Sequence, residues 1–177
     1  MKNLLLAFAM LLIVSNCNKN DDDQPTNPID QLPPATQTGA GTFGCLLDGE
    51  PFLPGNSQNP LDCVYQFVNG GYYFSLQANK RDDLNNRITL SLSTKSLEIE
   101  ENEVFNLLEN IDGNAYGRYS YATLETYTSQ DYTGELTITK LDFTNNIVSG
   151  TFWYDIEDYN GVVHQIREGR FDMQFTQ

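Results

Sequence analysis

The sequence predicts an all-β fold: an antiparallel β-sandwich or barrel of about eight strands joined as a meander, with at most one short helix. Three observations predict it. The chain of 177 residues holds 10 Tyr and 10 Phe, with many Val, Ile and Thr beside them, the side chains that suit a pleated, half-buried surface. Short apolar-aromatic runs are punctuated by Asp-Gly, Asn-Gly-Gly and Asn-Asn, the turn chemistry of hairpins at regular spacing. Inside the runs apolar and polar residues alternate. Ile88, Leu90 and Leu92 share one face, as do Val148, Phe152, Tyr154 and Ile156, and in the last strand Phe171, Met173 and Phe175. Periodicity does not separate sandwich from barrel, because closure depends on register and shear.

Lys2 precedes an eleven-residue apolar run over 4–14. A membrane-spanning helix needs about 20 residues, so the run reads as the core of a secretory signal peptide over 1–16. It ends in Val14-Ser15-Asn16-Cys17, which resembles the bacterial lipobox. The resemblance implies cleavage before Cys17 and lipid on its sulfur, although Asn16 stands where Gly, Ala or Ser is usual. Acyl chains there would hold the protein on a membrane without any transmembrane helix. The alternative is a secreted protein in which Cys17 is incidental.

Residues 17–41 then read as the lipidated cysteine and a disordered acidic, Pro-rich tether. Pro25, Pro28, Pro33 and Pro34 stand among Asp, Asn, Gln and Thr with almost nothing apolar to bury. The run Asn18-Lys19-Asn20-Asp21-Asp22-Asp23 is similar to the acidic surface-export signal of Bacteroidota lipoproteins, and it reads equally as a solvated spacer.

From residue 42 to 177 a single β domain is expected, with strands over 42–47, 62–68, 72–79, 87–94, 116–126, 134–143, 147–157 and 162–175. The apolar parity of the last strand switches between Ile166 and Phe171 near Gly169, which predicts a bulge or bend there. Residues 103–110 are the one candidate helix.

With 24 acidic against 10 basic side chains the net charge is -14. Phosphate binding is carried by Lys and Arg, so nucleic acid is excluded as a partner class. Once Cys17 is assigned to lipid, Cys45 and Cys63 remain as an even pair in an oxidising compartment, both on inward faces of the first two strands. A disulfide is the expectation, and two separate buried thiols the alternative. With one histidine and no CxxC spacing, a zinc site is not expected. Asp112-Gly113 and Tyr159-Asn160-Gly161 lack the ligand spacing of a calcium loop and read as turns.

No GxSxG elbow, phosphate loop or dinucleotide fingerprint occurs, so no catalytic residue and no cofactor is expected. His164 lies within Val162-Val163-His164-Gln165-Ile166 and reads as an ordinary strand histidine. Carboxylate pairs such as Asp155 with Glu157 are unavoidable among 24 acidic residues and only weakly invoke glycoside hydrolysis. The aromatics are the stronger lead. Tyr119, Tyr121 and Tyr127 fall on one face of a single predicted strand, and Trp153 points opposite to the core set of its own strand. Such faces stack sugars and anchor partners; the alternative is a sheet buried on both faces.

Thr42-Phe43-Gly44-Cys45-Leu46-Leu47-Asp48-Gly49, the run 134–142 (GELTITKLD), Ser149-Gly150-Thr151-Phe152 and Gly169-Arg170-Phe171-Asp172 occur in that order. The combination resembles a family of uncharacterised Bacteroidota lipoproteins, flavobacterial in type. Asp48 stands where that family has Asn before the Gly. The resemblance implies a lipoprotein with an all-β domain and brings no catalytic residue with it.

The reading is therefore a lipid-anchored lipoprotein of the cell envelope, at the outer membrane on its surface or periplasmic side. Its domain would be a non-catalytic binding or accessory module, with the membrane as one partner through Cys17 and a glycan or envelope protein as another. A β-barrel carrier of a small apolar ligand is the alternative, and a glycan-acting hydrolase comes third.

Overall fold

A computed structural model describes residues 27–55 and 57–177. The expected signal peptide over 1–16 and the lipidated Cys17 lie outside the described residues.

Among the described residues, eleven strands form one sheet. In chain order they are β1 (Thr42–Leu47), β2 (Glu50–Phe52), β3 (Leu61–Val68), β4 (Gly71–Arg81), β5 (Arg87–Thr94), β6 (Val104–Leu107), β7 (Ala115–Tyr121), β8 (Leu124–Tyr127), β9 (Gly134–Asp142), β10 (Ile147–Glu157) and β11 (Val163–Gln174). Their spatial order is β2-β1-β11-β10-β9-β6-β7-β5-β4-β3, with β8 added outside this path against β7. The fold is all-β and sandwich-like, and the sheet is not closed into a barrel.

Turn chemistry fixes the hairpins. Asp48 and Gly49 both have positive φ (54° and 86°), as do Asn69 and Gly70 (51° and 86°). That pair of values defines a type I′ turn, whose twist matches the strands it joins. The simple meander holds for β3-β4-β5 and for β9-β10-β11, but β6 slips between β7 and β9, and β1 returns to pair with β11. The expected helix over 103–110 is replaced by β6. Phe105 and Leu107 are buried while Val104 and Asn106 are exposed, a period of two that pairs with β9 and that a helix would not keep. The expected strand over 116–126 is broken by a turn at Ala122 (φ 55°) into the β7–β8 hairpin.

The two halves of the sheet meet face to face. Phe74 of β4 lies against Phe171 of β11 (6.2 Å between ring centres), and Tyr154 of β10 reaches across to donate its hydroxyl to the Arg118 carbonyl of β7 (3.1 Å). The predicted inward sets hold: Leu90 and Leu92, then Val148, Phe152, Tyr154 and Ile156, and finally Phe171, Met173 and Phe175 are all buried, with Ile88 packed at their margin. Each such side chain contributes about 1.5–3 kcal/mol. Phe52, Phe74, Phe171 and Tyr154 fill the space between the layers, so the expectation of a barrel holding an apolar ligand gives way to a packed interior.

The bulge expected near Gly169 is present. Phe152 pairs with Gly169 and Tyr154 with Ile166, so three steps on β11 face two on β10, and Glu168 takes a positive φ of 54°. Gly169 is required by contact, since a Cβ there would lie 2.6 Å from the Phe152 ring.

Cys45 and Cys63 face the core as expected, but both are free thiols rather than a disulfide. Cys45 on β1 pairs across to Phe52 of β2, and Cys63 on β3 to Leu76 of β4. The two strands are not neighbours in the sheet. Burial pushes both thiols above their usual pKa; Lys80 opposes this at Cys45 and Asp62 adds to it at Cys63.

The expected tether is ordered from Asn27 onward. Pro28–Gln31 form one short 3-10 helix capped by the Asn27 side chain, Leu32 is buried, and residues 36–40 fold over the outer face of β11.

Candidate functional site

The four aromatics singled out in the sequence do not form one surface. The β7–β8 turn is the reason: Tyr127 pairs opposite Arg118, while Tyr119 pairs opposite Thr126 and Tyr121 opposite Leu124. Opposed residues share a face, so Tyr127 lies on the outer side and Tyr119 and Tyr121 on the core side.

Tyr119 is buried and stacks on His164 at 4.4 Å. Burial, with the charges of Asp158 and Asp48 nearby, pushes its hydroxyl up to about 12. Tyr121 sits at the rim, donating to Asp82 Oδ2 (2.9 Å) and accepting from Asn86 Nδ2 (2.8 Å). Tyr127 donates to Glu125 Oε1 (2.6 Å) and meets Tyr116 edge-on. These tyrosines close the end of the core and its hairpin.

His164 has more partners than an ordinary strand histidine. Its Nδ1 lies 2.7 Å from Asp48 Oδ2 and its Nε2 3.6 Å from Asp158 Oδ2. Asp48 also accepts from the Gln165 amide, so the residue ties the β1–β2 turn to the β10–β11 turn. Asp158 is itself held by the Val162 and Asn160 amides, which lower its pKa despite partial desolvation. The trio is a staple between two turns.

Trp153 lies in a groove on the outer face of β10. Alternation puts Phe152 and Tyr154 into the core and Trp153 out, where 37% of it is exposed. The cross-strand pairs Trp153–Glu135 and Thr151–Thr137 join β10 to β9, and Thr151–Arg170 joins it to β11. The bulge bends β11 away at this level. A groove of about 390 Å³ results, lined chiefly by Glu135, Thr137, Thr151, Trp153, Arg167 and Arg170.

Its side chains are fixed before any partner arrives. Trp153 Nε1 donates to Glu135 Oε2 (3.0 Å), and the Arg167 guanidinium lies 5.3 Å from the indole centre, within cation–π range. Arg167 donates to the Tyr154 and Ile166 carbonyls (3.1 and 2.8 Å) and to Asp155 Oδ1 (2.5 Å). Arg170 donates to the Glu168 carbonyl at 3.1 Å. An indole edge, two guanidinium groups, two threonine hydroxyls and the carboxylates of Glu135 and Glu168 thus line one concave surface. That combination stacks, donates and accepts, and the bonds holding it reduce the entropy lost when a partner docks.

Sequence reasoning found Trp153 through strand alternation but missed Glu135, Arg167 and Arg170. The only available signal was the parity switch near Gly169, which marks the bulge without saying what it opens. Asp155, raised in the sequence as half of a carboxylate pair with Glu157, is instead the partner of Arg167. Among the described residues no group of three or more His, Cys, Asp or Glu is arranged to hold a metal ion. No protein-family model, no curated protein and no solved structure matches the chain.

Proposed function

We propose that the protein is a lipid-anchored lipoprotein of the cell envelope, held at the outer membrane through Cys17, whose β domain is a non-catalytic binding or accessory module. The Trp153 groove is its partner site. The observation that carries this reading is the preorganised set of Trp153, Arg167 and Glu135 in a concave outer face. Trp and Arg are the residues that most often dominate binding energy where a partner is desolvated, and Trp with hydroxyl and carboxylate neighbours also suits a sugar ring. A glycan or an envelope protein is the partner class.

Trp153 is the only tryptophan in the chain, so intrinsic fluorescence reports on the groove directly. Titration with glycan-array hits and purified envelope proteins should shift or quench its emission, and Arg167→Gln should weaken the same binding. A partner that binds tightly with no change in Trp153 emission would overturn the site. Mass spectrometry of the native protein should find acyl chains on Cys17; an unmodified or uncleaved N-terminus would remove the anchor from the reading.

A further inference from the structure

The outer face of β4, β5 and β7 carries a second groove of different chemistry. Alternation that sends Leu76, Leu90 and Leu92 inward sends Gln77, Asn79, Thr89 and Ser91 outward. Register lines these up in rows across three strands: Gln77–Ser91–Arg118 and Asn79–Thr89–Ser120, with Arg81–Arg87 beyond them. Neighbouring strands are about 4.8 Å apart, and rows two residues apart about 6.7 Å, so the polar groups form a grid of sugar-ring dimensions. The groove is about 450 Å³.

Its walls are built. Asn79 is buried, receives the Ser57 hydroxyl and donates Nδ2 to the Asn59 carbonyl (3.0 Å), which pins the 57–59 loop as one side. Arg118 forms the other side: Nε and Nη2 donate to Ser91 Oγ (3.2 and 3.0 Å), and Nη1 to Glu125 Oε2 (3.0 Å). Arg81 is turned to the Asn85 carbonyl. Arg87 is exposed and has no salt bridge among the described residues.

Arg81, Arg87 and Arg118 share this face, with Asp62 at one edge opposite Gln77 and Glu125 at the other opposite Ser120. Among the described residues lining the groove, two are arginines and none is a carboxylate. The side chains of Gln77, Thr89 and Ser120 have no hydrogen-bond partner among the described residues and face the open volume. An amide- and hydroxyl-rich floor with little apolar surface suits a polyhydroxylated ligand, and the unpaired guanidinium of Arg87 suits an anionic one.

We propose that this groove binds the carboxylate of an acidic sugar within a polyuronate chain, with Arg87 as its principal anion contact and the Gln77–Thr89–Ser120 floor receiving ring hydroxyls. The site is separate from the Trp153 groove and does not depend on it.

The test uses the full chain, titrated calorimetrically at about 20 mM salt, where surface charges are little screened. The probes are hexameric oligogalacturonate, hexameric oligomannuronate, the methyl-esterified form of each, and hexameric oligoglutamate. At least one uronate should bind. Its ester should bind about tenfold more weakly, Arg87→Gln should lose a similar factor, and Trp153→Phe should bind as the natural chain does. Arg87 is exposed, so its variant should keep its thermal midpoint, which is measured alongside. Failure of both uronates to bind, equal binding of the ester, or full retention by a folded Arg87→Gln overturns the proposal. Oligoglutamate binding as tightly as the uronate would assign the groove to acidic peptide instead. A loss confined to Trp153→Phe would assign the sugar to the other groove.

Discussion

Thr36 donates its hydroxyl to Asp172 across 2.6 Å of space and 136 residues of chain. The same carboxylate accepts from Thr38 N and Oγ1 (2.9 and 3.1 Å), Gly39 N (2.7 Å), Ala40 N (3.2 Å) and, from the neighbouring strand, Ser149 Oγ (2.8 Å). Burial alone would raise the pKa of Asp172. The bonds from Thr36, Thr38, Ser149 and Gly39 outweigh it and hold the carboxyl well below the usual range. One buried charge therefore orders a segment whose composition has no apolar reason to fold.

Asp172→Ala should cost about 3 kcal/mol or more, because it leaves several donors of residues 36–40 over a site that water reaches poorly. Asp172→Asn should cost less, since one oxygen remains to accept. The urea midpoint measures both. Limited proteolysis should cut Asp172→Ala between residues 27 and 41 before the domain unfolds, while the natural chain resists there.

The same carboxylate predicts acid sensitivity. Its folded pKa lies below the unfolded value of about 3.9, so below that value the unfolded chain binds the extra proton. The stabilisation is complete above about pH 4 and is lost as pH falls toward the depressed folded value. Thermal midpoints measured across this window should fall with pH, and Asp172→Asn should flatten that slope. An unchanged slope would mean that other carboxylates carry the effect.

Gly169→Ala tests the bulge. A Cβ placed 2.6 Å from the Phe152 ring must displace a core aromatic, and overpacking of this kind costs about 1–3 kcal/mol. Since Phe152 lies directly beneath the Trp153 groove, Trp153 emission should shift in the same variant. A stable variant with unchanged emission would show that the strand absorbs the methyl by moving outward.

Free, buried Cys45 and Cys63 should not react with a thiol reagent in the folded domain, and two thiols should appear on unfolding. Reductant should leave the urea midpoint unchanged. A midpoint that drops on reduction would restore the cross-link expected from the sequence.

The parts of the fold that were legible are those set by neighbours in sequence. Leu90 and Leu92 announce their face by alternation, and Asp48-Gly49 and Asn69-Gly70 announce their turns by the only residues that take two positive φ angles cheaply. The Ala122-Thr123 turn carries no such residue, so β7 and β8 read as one strand, which puts Tyr127 on the face of Tyr119 and Tyr121 instead of the opposite one. β6 is four residues long, too short for its period of two to compete with the apolar run Val104-Phe105-Asn106-Leu107-Leu108. Alternation shows the inward faces of Cys45 and Cys63, but which strands are neighbours is a global property. Long-range bonds also decide the site: Arg167 reaches Trp153 because β11 bulges, and residues 36–40 order because Asp172 waits far along the chain.

Tyr119 and Trp153 separate structure from function most cleanly. Tyr119 packs on His164 inside the core rim, so Tyr119→Ala removes a buried aromatic and should cost about 3–5 kcal/mol. Trp153 lies on the outer face with a third of its surface open, and its replacement by Ala loses one hydrogen bond to Glu135 and the Arg167 contact. Exposed contacts of that kind contribute about 1 kcal/mol or less. Binding should rank the two in the opposite order. Trp153→Ala should lose partner affinity by tenfold or more while its urea midpoint barely moves, and Tyr119→Phe should keep both stability and binding because the ring that stacks on His164 remains. If Trp153→Ala unfolds the domain while Tyr119→Ala leaves it stable, then the indole is part of the core and the groove is not the partner site.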